Sequence, residues 1–135
     1  MSEPVWLTSN QVERFHSEQM AIFGGPAGIR DQNLLQSALE RPQNKWSYGE
    51  RDMALLAAAY AFGLSRNHPF LDGNKRTGFL TLLLFLRRNS VPFRPDEHHS
   101  AAAMLSLAAG EIDESGLARW IADRWPSDTD RFWPS

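Results

Sequence analysis

The chain has 135 residues, no cysteine, and 14 basic against 16 acidic side chains, for a formal net charge of −2. That length suits one domain with a single core, and the lack of cysteine excludes disulfides, thiolate nucleophiles and cysteine-bound zinc. The near-even charge balance provides no basic field to draw in nucleic acid or an anionic membrane over long range.

The first residues, Met1-Ser2-Glu3-Pro4-Val5-Trp6, carry neither the positive cluster nor the apolar run of a signal peptide. Thr8 and Gln11 form a capping box that predicts a first helix through about Ile22, with Val12, Phe15, Gln19 and Ile22 on one side. Phe23-Gly24-Gly25-Pro26-Ala27-Gly28 breaks that helix. Asp31 then caps a second, whose buried face is Leu34, Leu35, Ala38 and Leu39. Residues 41–50, with Pro42 and Gly49, read as an irregular connection.

The alanine-rich run 52–67 predicts a third helix, stopped by Pro69 because the residue before a proline avoids helical geometry. A fourth helix runs from Asn74 to about Asn89 and is apolar on nearly every face between Phe79 and Leu86, which belongs at the centre of a fold. Asp96 caps a fifth helix through Ala109, and Asp113 a sixth through about Trp125. The remainder, residues 126–135, is a polar tail with room to flex, whose Phe132 and Trp133 are expected to pack back onto the domain rather than extend a partner's groove. No segment alternates convincingly as a strand, although 5–7 or 46–48 could form a short ribbon. The apolar runs 53–64 and 78–86 fall short of the roughly 20 residues that cross a bilayer. The expectation is a single all-α domain over residues 1–135, about six helices around a buried central helix starting near Asn74.

Between the third and fourth helices lies His68-Pro69-Phe70-Leu71-Asp72-Gly73-Asn74-Lys75-Arg76-Thr77-Gly78, the densest collection of reactive groups in the chain. The N–H groups of a helix's first turn have no intrahelical partners, and the helix dipole adds partial positive charge there, so an anion is favoured at that end. Gly73 lets the backbone approach a phosphate, Asn74 can hold the turn or bond a phosphate oxygen, and Lys75 and Arg76 add two full charges. Asp72 can ligate Mg²⁺, which prefers carboxylate and phosphate oxygens. An imidazole titrates near neutrality, which fits His68 to accept a proton from an attacking hydroxyl. Phe70, between polar positions, points inward and anchors the loop.

Each residue also has an ordinary structural role: a histidine as a helix-end cap, an aspartate as turn chemistry, a Lys-Arg pair as solvated surface. Two cations at the positive end of a helix dipole nevertheless ask for a compensating anion. Other motifs fail. No Gly-Lys dipeptide makes a Walker A loop, no Asn-Lys-x-Asp reads guanine, and 24–28 lacks the preceding strand of a dinucleotide fingerprint. His98-His99 has no suitably spaced further ligand, and Ser65 and Ser106 lack a nucleophile elbow.

The nine residues His68 to Arg76 resemble the signature loop of the Fic/Doc superfamily, and its Doc (death-on-curing) toxin branch in particular. Phe23-Gly24-Gly25 with Gly28-Ile29-Arg30-Asp31, Leu84-Phe85-Leu86-Arg87-Arg88-Asn89 and Ala108-Ala109-Gly110-Glu111-Ile112 extend the similarity over most of the chain. The larger AMP-transferring branch has glycine where this chain has Lys75, and a second arginine where it has Phe79. Resemblance to the Doc branch implies a reversed nucleotide that presents its γ-phosphate, hence an ATP-dependent kinase acting on a threonine of elongation factor Tu and halting translation. AMP transfer, or a catalytically silent binding module, are the alternatives.

By the same resemblance His68 is the general base, Asp72 the Mg²⁺ ligand, and Gly73, Asn74, Lys75 and Arg76 the phosphate binders, with Phe70 as loop anchor. Arg66 matches a basic position that contacts nucleotide or substrate. No glutamate is followed by glycine or asparagine, so the superfamily's self-inhibiting helix motif is missing. The resemblance therefore implies restraint by a Phd-type antitoxin whose disordered tail folds into a groove, in the bacterial cytoplasm, with no direct nucleic-acid or membrane partner.

Overall fold

A computed structural model describes residues 2–134 and contains six helices: α1 (Ser9–Phe23), α2 (Gln32–Ser47), α3 (Met53–Asn67), α4 (Asn74–Arg88), α5 (Glu97–Ala108) and α6 (Glu114–Asp123). Five of them begin at a side-chain cap, on Thr8, Asp31, Asp52, Asp96 or Asp113. The Thr8–Gln11 box is reciprocal, its two bonds 3.2 and 2.9 Å long. Only α4 begins without one; Gly73 precedes it in left-handed geometry, φ 74°. Among the described residues there is no strand, only the isolated bridges Ile29–Phe70 and Asp52–Phe132, and no helix is long and apolar enough to cross a membrane.

The core is built around α3 and α4 together. Helix α3 packs against α2, α4, α5 and α6, and its buried residues run from Met53 to Ser65 with few gaps. Its small alanines allow close neighbours. A Cβ on Gly78 of α4 would lie 3.1 Å from the Ala61 carbonyl oxygen, so glycine permits that helix contact. Helix α4 shares the central place expected of it, but Leu80, Leu83 and Leu84 remain partly exposed. Trp6 stacks on Phe85 at 5.6 Å, and Tyr60 lies 5.0 Å from the same ring. The Leu7 N–H donates to the Tyr60 hydroxyl at 3.0 Å, while burial raises that phenol's pKa.

Two expectations need correcting. Helix α2 does not end at Arg41 but runs to Ser47 through a buried Pro42. Tertiary contacts hold its second half: Arg41 Nε and Lys45 Nζ bind the Glu114 carboxylate at 2.6 and 3.0 Å, which offsets the backbone bond a proline forfeits. The buried face of α1 is Val12, His16 and Met20, whereas Ile22 is 68% exposed. The helix is rotated to bring an imidazole inward, and an apolar pattern does not reveal that. The tail is fastened as far as Trp133, whose ring packs back onto the domain. The Arg131 carbonyl accepts from Met53 N–H and Trp133 N–H donates to the Arg51 carbonyl, both at 2.8 Å. Arg131 Nε pairs with Asp52 at 3.1 Å, and the Trp133 indole packs edge-on to Trp46.

Candidate active site

The loop between α3 and α4 is held from two sides. Chain segment 28–31 runs alongside it: Arg30 and Asp31 N–H both donate to the Pro69 carbonyl, at 2.7 and 3.1 Å, and Leu71 N–H donates to the Gly28 carbonyl at 3.2 Å. The Arg30 guanidinium then caps the end of α3, with Nε on the His68 carbonyl at 2.7 Å and Nη2 on the Asn67 carbonyl at 2.9 Å. His68 leaves the helix in left-handed geometry, φ 49° and ψ 55°. A non-glycine residue there is uncommon and worth a structural cause; the bound carbonyls supply one.

From the other side comes α1. The buried His16 lies parallel to Phe70, ring centroids 3.9 Å apart, and its Nε2 is 2.7 Å from the Asp72 carbonyl oxygen. A carbonyl carries no proton, so Nε2 is the donor. Phe70 itself is buried. Below Gly73 sits Met20, whose Cε would lie only 2.3 Å from an added Cβ.

Around this frame the reactive groups converge. One cavity of about 590 Å³ is lined by His68, by Asp72 to Arg76, and by an apolar wall of Phe23, Ala101, Met104 and Leu105. Neither Lys75 nor Arg76 has a carboxylate within ion-pair distance among the described residues. Arg76 instead lies 4.2 Å above the Phe23 ring. The Asp72 carboxylate accepts from Gly73 N–H through Oδ1 at 2.8 Å.

Two predicted residues have other engagements. The Asn74 side chain is buried and bonds both backbone groups of Phe70, Oδ1 receiving its N–H at 2.9 Å and Nδ2 donating to its carbonyl at 3.0 Å. It braces the loop, so any phosphate bond from this residue falls to its backbone N–H. Arg66 does not line the cavity of Lys75 and Arg76; it lines a second one, which His68 also borders. The sequence reading assigned no role to His16 or Arg30. A third and larger cavity, about 660 Å³, lies beside α2 away from the loop, and Glu114 already neutralises its Arg41 and Lys45.

A family model described as the Fic/DOC family matches residues 6–86, which span both sides of this frame and the whole loop. The chain belongs to the Fic/DOC family. Within it, the similarity points to the Doc branch. The chain is 42% identical over 105 residues to Toxin Doc of Mycolicibacterium smegmatis, covering 74% of this chain and 80% of that protein. To Protein kinase doc of Escherichia phage P1 it is 32% identical over 113 residues, 83% of this chain and 89% of that one. Protein adenylyltransferase Fic of Drosophila persimilis is also 32% identical, over 116 residues, but these are only 22% of the fly protein. In this Fic/DOC chain, position 79 holds a buried phenylalanine packed 5.9 Å from Trp120, so no side chain from that turn of α4 adds a cation to the cavity.

Proposed function

We propose that this chain is a Doc-type toxin: an ATP-dependent kinase that phosphorylates a protein hydroxyl. One observation carries the reading. A histidine, a carboxylate, two cations free of carboxylate partners and the one helix start without a side-chain cap all border a single cavity. The phage relative's name, a protein kinase, supports the activity, and the mycobacterial relative's name, a toxin, supports the role.

The donor set fits a nucleotide's phosphates. The first-turn N–H groups of α4, reinforced by the helix dipole, and the Lys75 and Arg76 side chains supply several donors to anionic oxygens at one place. Mg²⁺ would be held by Asp72, the carboxylate among the residues lining this cavity, since the ion commonly takes one or two carboxylates and completes its shell with phosphate and water. When bound, the ion would neutralise phosphate charge. His68 accepts the proton of the attacking hydroxyl as its oxygen bonds to the γ-phosphorus; the bond from that phosphorus to the β-bridging oxygen breaks, and ADP leaves with the electron pair. Lys75, Arg76 and the α4 N–H groups hold the charge that develops. Catalysis is then mostly positioning and electrostatic stabilisation.

Lys75 and Phe79 favour phosphate transfer over AMP transfer. The lysine fills space beside the cradle, and the phenylalanine removes a ligand for a further phosphate. For the acceptor we propose a threonine of elongation factor Tu, and for the restraint a Phd-type antitoxin whose tail folds into the groove between helices, in the bacterial cytoplasm. Expression in a bacterial host tests the reading: the wild type should arrest translation, relieved by a co-expressed Phd-type partner. A His68→Ala protein as toxic as the wild type would instead support a silent binding module.

A further inference from the structure

Resting on the kinase reading, we infer that the second cavity beside His68 is the binding site for the acceptor protein, and that Arg66 selects an acidic residue near the hydroxyl. This cavity, about 370 Å³, is bordered by Phe62, Arg66, Leu107 and Ile112, among others, and shares one lining residue with the phosphate cavity: His68. The two lie along successive turns of α5, the first reaching Met104 and Leu105 and the second Leu107 and Ala108. They form neighbouring compartments with His68 at the boundary.

Reaction geometry assigns the occupants. In phosphoryl transfer the incoming and leaving oxygens are roughly in line, on opposite sides of phosphorus. With the phosphates at the start of α4, the hydroxyl comes to His68 from the second cavity, the other compartment that this residue lines. Its chemistry suits an extended protein segment. Phe62, Leu107 and Ile112 are partly exposed and offer apolar contact. The Asp113 carboxylate is committed to Gly116 N–H at 2.8 Å as the cap of α6. Arg66 is exposed, lies 5.6 Å from the Phe62 ring centroid, and has no carboxylate within ion-pair distance among the described residues. A carboxylate of the acceptor is the partner such a guanidinium lacks. The sequence left Arg66 between nucleotide and substrate; its place in the second cavity favours substrate.

The test is steady-state phosphorylation of purified elongation factor Tu, with acceptor and ATP varied independently, by the wild type, Arg66→Glu and Arg66→Lys. Charge reversal should raise KM for the acceptor by roughly tenfold or more while KM for ATP stays within about twofold, and Arg66→Lys should recover most of the loss. An unchanged acceptor KM in Arg66→Glu, or a rise confined to the KM for ATP, overturns the inference and leaves the kinase reading standing. A wild type that transfers nothing to the factor refutes that reading itself, and the acceptor site with it.

Discussion

Replacing Arg30 with methionine isolates the contribution of the brace to chemistry. The side chain makes two charge-assisted bonds, 2.7 and 2.9 Å long, to the carbonyls of His68 and Asn67. These hold the left-handed turn at His68, a geometry that costs a non-glycine residue about 1–2 kcal/mol. A sheltered hydrogen bond to a charged group contributes about 1.5–3 kcal/mol, but this guanidinium is exposed, and solvent screening reduces the value. Taking the pair together at about 1.5 kcal/mol, its loss shifts the loop away from the competent geometry by roughly tenfold. The backbone bonds of Arg30 and Asp31 to Pro69 survive the substitution, so the fold should persist. In a phosphorylation assay kcat should fall by up to about tenfold with little change in the KM for ATP and a nearly unchanged melting temperature. Arg30→Lys should recover only part, because one ammonium cannot reproduce a two-pronged donor. A kcat within twofold of wild type would refute the claim that this brace positions His68.

His16→Leu removes the donor to Asp72 and leaves a carbonyl unsatisfied, at a cost of about 1–3 kcal/mol; it should raise the Mg²⁺ concentration needed for half-maximal activity, as read by metal titration. Gly73→Ala places a Cβ against Met20 in a backbone with φ 74°, so stability should fall by about 1–2 kcal/mol from the left-handed geometry alone. Nucleotide binding measured by calorimetry should weaken with it. For Glu114, burial raises the carboxyl pKa, but hydrogen bonds from Arg41 and Lys45 outweigh it and the net shift is downward from 4.5. Its stabilisation is therefore present above that pH and lost as the pH falls through the lower folded value. Glu114→Gln should be less stable than wild type at neutral pH in urea melts, and the gap should close in acid.

Local signals made much of this molecule legible from sequence. Thr8, Asp31, Asp96 and Asp113 cap helices because an oxygen side chain meets an N–H two or three residues away, and such chemistry is written in adjacent letters. The loop from His68 to Arg76 was equally legible, being contiguous and flanked by apolar helices. What escaped was the support brought from afar. His16 reaches Asp72 across 56 positions, and Arg30 reaches His68 across 38. One hides as a break in an apolar stripe and the other as an ordinary charge in a turn. Pro42 misled for a related reason: proline opposes a helix locally, yet the ion pairs of Arg41 and Lys45 with a residue on α6 sustain one. Trp133 and Arg131 dock the tail through partners at 51–53, too distant for any local pattern to reveal.

The proposed mechanism turns on which phosphorus the start of α4 presents to the hydroxyl beside His68. Incubating the purified protein and elongation factor Tu with ATP labelled at either the γ- or the α-phosphate measures that directly. A γ-phosphate kinase passes label to the factor from the γ position, and none appears in the His68→Ala reaction. Transfer from the α position would contradict that mechanism.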